Sequence, residues 1–240
     1  MRRRFVLLLV AAVVALGVIG GWLWVNRAHG ERVMAIGDSL MVQAGPAVTQ
    51  ELSAQGYDVQ VHAVPGSGLL DTKDDWAQMA SSLVASFNPD IVIVEFIGDY
   101  GLFGERPGIP PDSVQFFNAW RFAAQRLEDI LTAQHAQVYW VLGPPVAQLS
   151  GEMRLATLDH IYETLDAPNT GTGHPPTVDL TPDFSASRGG YTEYLHGPHG
   201  TSVQIRQPDG THLTLAGGLL FGRVVGRDVK PVSPLRRLLH

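Results

Sequence analysis

Three residues have side chains that could together activate a hydroxyl group, and one of them lies far from the other two in the sequence. Ser39 ends the apolar run in "VMAIGDSLMVQAG" (33–45), whereas Asp209 and His212 are three residues apart in "PDGTH" (208–212). A serine attacks a carbonyl well only when a histidine takes its proton and a carboxylate holds that histidine. The structural alternatives are a helix cap for Ser39, a turn residue for Asp209 and a helix start for His212.

The elements that must position these residues alternate along the chain. Apolar runs predict strands, and apolar residues at helical spacing predict helices between and after them. One such helix lies over about 76–87 with Asp71 as its cap, another follows "PPDS", and a further one lies over about 213–225. This alternation predicts one α/β domain with a parallel sheet between two helical layers. A Pro-, Gly- and His-rich stretch, 167–210, predicts long loops with one short strand. The strand runs are "ERVMAIG" (31–37), "YDVQVHAV" (57–64), "DIVIVEFIG" (90–98) and "QVYWVLG" (137–143).

Polar and glycine-rich segments follow the predicted strands. The first strand ends in "GDS", the second leads into "VPGSG", the third ends in "GDYG" and the fourth in "GPP", while "DGTH" precedes the last helix. The carboxyl ends of parallel strands share one edge of the sheet, where ligands bind in such folds. Ser39, His212 and several acids are therefore predicted to meet at that edge.

Four of these segments resemble the sequence blocks of the SGNH or GDSL-type hydrolases. They are "IGDSL" (36–40), "VPGSG" (64–68), "FIGDYG" (96–101) and "PDGTHLT" (208–214), in the order usual for that family. The resemblance implies a flavodoxin-like three-layer α/β/α fold and a family of esterases, lipases, carbohydrate deacetylases and O-acyltransferases. It also implies a catalytic triad of Ser39, His212 and Asp209.

The resemblance further implies an oxyanion hole, in which N–H groups stabilise the charge that develops on the former carbonyl oxygen. Its donors would be the Ser39 amide, the Gly66 amide, with Gly68 as alternative, and the side chain at position 99. The family has asparagine there, but this chain has Asp99. An ionised carboxylate cannot donate, so we expect slow hydrolysis unless Asp99 is protonated or turned away. Two alternatives stay open: the backbone amides suffice, or the fold has lost its chemistry.

The N-terminus predicts a membrane anchor. Three arginines precede 21 uncharged residues, 5–25, which is long enough for a transmembrane helix. The long apolar run and the tryptophans at its end favour an uncleaved anchor over a signal peptide, and the arginines place the remainder of the chain outside the cytoplasm. We therefore expect an anchor and linker over 1–30, a domain over 31–228 and a tail over 229–240. Cleavage would instead give a secreted protein.

Composition excludes several function classes. The chain of 240 residues contains no cysteine, which rules out disulfides, thiolate metal sites and cysteine nucleophiles. Its net charge of −6 gives no footprint for nucleic acid. The loop histidines His174, His196 and His199 match no common metal-site spacing, so we predict no metal and no cofactor.

Two further acids have predicted structural roles. Asp38 matches an acid that stands beside the nucleophile in the family, so the resemblance implies that it braces the first loop. Glu95 needs a partner if it is buried within its apolar strand.

The sequence thus predicts an anchored serine esterase or deacetylase acting on an acylated small molecule, envelope glycan or lipid. An O-acyltransferase and a catalytically impaired glycan-binding module are the alternatives.

Overall fold

A computed structural model of the chain describes residues 30–98, 108–186, 189–197 and 201–232. The predicted anchor (5–25), Asp99, His199 and most of the predicted tail lie outside the described residues. Within the described part, no helix combines the length and the apolar character needed to span a membrane.

Seven strands and six α-helices make up the described chain. The strands are β1 (Arg32–Gly37), β2 (Asp58–Ala63), β3 (Ile91–Glu95), β4 (Gln137–Leu142), β5 (Thr177–Asp179), β6 (Tyr194–His196) and β7 (Ser202–Gln204). The helices are α1 (Ser39–Ala54), α2 (Trp76–Phe87), α3 (Val114–Thr132), α4 (Leu149–Glu163), α5 (Thr181–Phe184) and α6 (Leu215–Asp228).

The first five strands form one parallel sheet in the order β2-β1-β3-β4-β5. This is the flavodoxin-like order, in which β2 lies on one side of β1 and β3, β4 and β5 follow on the other side. The predicted parallel α/β architecture is therefore confirmed. Because all five strands of this sheet run the same way, the segments after β1, β3 and β4 all emerge at one edge of the sheet.

Alternation along the central strands divides the core into two halves. Val33 and Ala35 of β1 pack on one face with α1 and α6, whereas Met34 and Ile36 pack on the other with α2, α3 and most of α4. All of these side chains are fully buried. A strand buried on both faces reads as a continuous apolar run, which explains why β1, β3 and β4 were visible in the sequence.

Glycines allow α1 and α6 to approach closely. A β-carbon at Gly222 would lie 2.6 Å from the carbonyl carbon of Ala47, and one at Gly218 would lie 2.7 Å from the Gln43 oxygen. No side chain fits at such distances. The start of α6, which follows His212, is thereby held against the helix that begins at Ser39.

Two local predictions were wrong, and one helix was not predicted. The cap of α2 is Asp75, whose side chain accepts the Gln78 N–H, and not Asp71. Helix α4 was not predicted, because its first half exposes Leu149 and Met153 and so lacks an apolar stripe. The loop-rich stretch contains β5 and also the antiparallel pair β6 and β7, rather than one strand. Strands of three residues are too short to leave a period in the sequence.

Candidate active site

Ser39 lies where β1 turns into α1. It is the first residue of the helix, and the cap is Asp38, whose Oδ1 accepts the Leu40 N–H at 3.0 Å. The alternative that Ser39 caps the helix is therefore wrong, and its hydroxyl is not used for that purpose. Gly37, just before the turn, has no space for a side chain, because a β-carbon would lie 2.6 Å from the Glu95 carbonyl oxygen.

Asp38 is fully buried and connects two of the predicted site segments. Its Oδ2 accepts the N–H of Ile97 at 2.9 Å, while its Oδ1 holds the first turn of α1. The carboxylate thus fixes the serine turn against the segment after β3. This geometry corresponds to the brace that the sequence predicted for Asp38.

The structure brings the three predicted triad residues together. The Nε2 atom of His212 lies 3.1 Å from the Ser39 Oγ, and the His212 Nδ1 lies 2.8 Å from the Asp209 Oδ2. Both distances are within hydrogen-bond range, so the hydroxyl is bonded to the imidazole and the imidazole to the carboxylate. When His212 Nδ1 donates to Asp209, Nε2 is left free to accept the serine proton.

Asp209 is held by its own loop as well as by the histidine. Its Oδ1 accepts the backbone N–H groups of Thr211 and His212, each at 2.9 Å. Burial on its own would raise the pKa of Asp209, but these two N–H groups and the His212 ring outweigh it and lower the pKa below its ordinary value. Asp209 is thus both a turn residue and the partner of His212, so the two interpretations of this residue are compatible.

His212 does not cap the helix that follows it. That role belongs to Thr214, whose side chain accepts the Gly217 N–H. The loop is instead fixed by Gln43, one turn after Ser39, whose Oε1 accepts the Leu213 N–H at 2.7 Å. Gln43 was not predicted from the sequence, although its position four residues after Ser39 places it on the serine's side of the helix.

The predicted backbone donors of the oxyanion hole are available. Gly66 lies in the loop after β2 with a φ of 70°, a conformation that favours glycine. The N–H groups of Ser39, Gly66 and Gly68 donate to no oxygen of the described residues. Asp99, the predicted third member, lies outside the described residues.

Glu95 lies beneath the serine turn and is fully buried. Its Oε2 accepts the Met41 N–H at 3.1 Å, which provides the partner that the sequence required. Burial, followed by the nearby Asp38 charge, raises the pKa of Glu95 well above its ordinary value.

Within the described part of the chain, the loop histidines His174 and His196 form no hydrogen bond with the triad. The ring of His174 lies 2.9 Å from the Leu165 carbonyl oxygen, and His196 is an exposed residue of β6. Among the described residues, no cluster of three or more histidines and acids could hold a metal ion.

This arrangement can carry out one kind of chemistry. His212 can accept the Ser39 proton as the oxygen attacks a carbonyl carbon, and Asp209 can stabilise the resulting imidazolium. The amides predicted for the oxyanion hole would supply its donors. His212 then gives this proton to the leaving alcohol as the C–O bond of the ester breaks, which leaves a covalent acyl-serine. Transfer of the acyl group to water or to another hydroxyl would free Ser39 and complete the reaction.

Comparisons with solved structures agree with this fold. TesA matches with a TM-score of 0.54 and 17% identity, covering 83% of this chain and 100% of its own. A catalytic mutant of Axe2, an acetylxylan esterase from Geobacillus stearothermophilus, gives 0.59 and 15%, covering 87% and 98%. The acetyl xylan esterase AlAXEase gives 0.53 and 16%, covering 82% and 99%. They confirm the SGNH-type fold that the sequence blocks predicted.

No curated protein matches the chain. Residues 32–228 match the family described as "Protein of unknown function (DUF459)". Because this match spans most of the chain, the protein belongs to that family.

Proposed function

We propose that this protein is a serine esterase that removes ester-linked acyl groups from glycans outside the cytoplasm. The observation that carries the proposal is the continuous hydrogen-bonded chain from Ser39 through His212 to Asp209. The free amides of Ser39, Gly66 and Gly68 support it, because acyl transfer needs donors for the oxyanion. Two of the structural neighbours are described as acetylxylan esterases, which favours acetyl groups on sugars.

The position of the predicted anchor supports glycans over lipids. Segment 5–25 joins the domain at Gly30, beside the amino end of β1, whereas Ser39 follows the carboxyl end of the same strand. Six residues of strand separate these ends by about 20 Å. If segment 5–25 is inserted in a membrane, the chain would enter the domain at the end of β1 opposite to Ser39. Substrates in the cell envelope would reach it more easily than the lipids in which it is anchored.

Acetate release tests the proposal. Purified full-length protein in detergent is incubated with an O-acetylated polysaccharide, with an aryl acetate and with a diacyl phospholipid. We expect acetate from the first two, no fatty acid from the third and no release by S39A. Fatty-acid release without acetate release would contradict the glycan assignment, and no release from any ester would contradict the esterase.

Acyl transfer is a second candidate, supported by the same acyl-serine geometry. If a sugar hydroxyl outcompetes water, adding an acceptor glycan should convert released acetate into acetylated sugar. Glycan binding that persists in S39A, without any ester turnover by the unsubstituted protein, would favour the non-catalytic binding module.

A further inference from the structure

Arg206 is a fully buried arginine beside the segment 207–213, which carries Asp209 and His212 and is called the triad loop below. It lies in "QIRQPDGTH" (204–212), a few residues before Asp209. A charged guanidinium is rarely buried without a carboxylate partner. Burial lowers the pKa of Arg206 to about 10, which still leaves it protonated at neutral pH. Burial of this charge therefore requires partners that compensate for its lost hydration.

Two carbonyl oxygens hold the guanidinium. Its Nη1 donates to the Thr211 oxygen and its Nη2 to the Pro145 oxygen, each at 2.7 Å. The plane of the group also lies near Phe184, with its central carbon 5.2 Å from the ring centroid. Pro145 belongs to the segment after β4, so Arg206 ties that segment to the triad loop. A second tie runs from the Ala147 N–H to the Gly210 oxygen at 3.0 Å.

The bond to Thr211 acts on the triad through one peptide group. The peptide between Thr211 and His212 accepts from Arg206 at its oxygen and donates to the Asp209 Oδ1, at 2.9 Å, at its N–H. The peptide is trans, so these two groups point in opposite directions. A cation at one end and an anion at the other polarise the peptide and strengthen both bonds.

We propose that Arg206 is a positioning residue: through the 211–212 peptide it orients Asp209, and thereby keeps His212 aligned with Ser39. This inference rests on the proposed esterase activity. It is distinct from it, because the Asp209–His212 hydrogen bond can be observed without turnover.

The test compares R206M with the unsubstituted protein in two backgrounds. We expect R206M to lower kcat about 10- to 100-fold, the range of a charge-assisted hydrogen bond, with KM unchanged. In the D209N background the group that Arg206 orients has lost its charge, so R206M should change kcat by no more than about two-fold. An equal loss in both backgrounds, or no loss at all, would overturn the proposal. R121M, which removes a half-buried arginine that donates to Thr164, is the matched control.

Proton NMR gives a readout independent of activity. The downfield signal of the His212 Nδ1 proton shared with Asp209 should weaken or move in R206M and stay in place in R121M. An unchanged signal would overturn the proposal even if kcat falls. If the unsubstituted protein shows this signal but hydrolyses no ester, the proposed function fails while the positioning role is still measurable.

Two more variants apply if R206M does not fold. R206K keeps the charge, whereas R206Q is neutral but can still donate. Polarisation by charge predicts that R206K retains about tenfold more kcat than R206Q, and equal values in two folded variants would overturn the proposal.

Discussion

His212 contacts Ser39 at 3.1 Å although 173 positions separate them in the chain. The contact exists because Ser39 begins α1, His212 precedes α6, and glycines in α6 let these two helices touch. Gln43 then ties the two segments together beside the site. The nucleophile and its base are thus positioned by the packing of α1 on α6 and by one side-chain bond.

Replacing Asp209 tests the third member of the triad. D209N keeps an oxygen for the two backbone N–H groups but cannot stabilise an imidazolium. In a Ser-His-Asp site such a change lowers kcat by about 10⁴-fold. We expect that loss in aryl acetate hydrolysis, with the unfolding temperature nearly unchanged. D129N, on the exposed surface of α3, is the control, and similar rates for both variants would contradict the role of Asp209.

Replacing Asp99 tests the predicted handicap of the oxyanion hole. Asparagine can donate a hydrogen bond where an ionised aspartate repels the oxyanion, and one such donor is worth about 10²- to 10³-fold in turnover. D99N should therefore hydrolyse an aryl acetate faster by up to that factor. The same substitution in the S39A background should give no activity. An unchanged rate in D99N would show that the two backbone amides suffice.

A pair of glycine variants tests the packing of α6 on α1. In G222A the new methyl group meets the backbone of Ala47, which cannot move aside, so we expect destabilisation of about 1–3 kcal/mol. In G226A the new methyl group would lie 3.0 Å from the Gln55 Nε2, at the end of a flexible side chain, and 3.1 Å from the Glu51 Cβ, which must give way by only a few tenths of an ångström. That variant should be close to neutral, because the preference of alanine for helix offsets this small shift. Urea unfolding distinguishes the two, and equal stability would contradict the packing.

The raised pKa of Asp159 makes the stability of the protein depend on pH. Burial, opposed by the Gly143 N–H and reinforced by Asp179, Glu163 and Glu152, raises the pKa of Asp159 from 3.8 to about 7. A raised pKa in the folded state stabilises the protein at low pH, and this contribution is lost as the pH rises through about 4 to 7. D159N cannot ionise, so its stability relative to the unsubstituted protein should increase between these values. D58N, on the exposed part of β2, is the control in urea unfolding, and an equal pH dependence in both variants would contradict the assignment.

The fold could be predicted from the sequence where burial leaves a pattern. β1, β3 and β4 are apolar on both faces, and Ser113 caps α3 at the predicted start signal. The cap of α2 could not be chosen, because Asp71, Asp74 and Asp75 are all suitable residue types within a few positions of each other. Helix α4 could not be predicted, because exposed apolar side chains interrupt the apolar stripe that would indicate its buried face.

The candidate site divides in the same way. Ser39, Asp209 and His212 could be selected because their types and order match a known chemistry. Gln43 and Arg206 could not, since a glutamine in a helix or one arginine in a loop carries no sign of its partners. Only the fold shows that Gln43 faces Leu213 and that Arg206 is buried against two carbonyl groups.

The most direct measurement is the reaction of the full-length protein with a fluorophosphonate, followed by mass spectrometry of the labelled peptide. The probe mimics an ester and forms a stable bond only with an activated hydroxyl. We expect one adduct, on Ser39, that is absent in S39A and much slower to form in a folded H212A variant. No adduct on folded protein, or an adduct that persists in S39A, would contradict the assignment of Ser39 as a nucleophile.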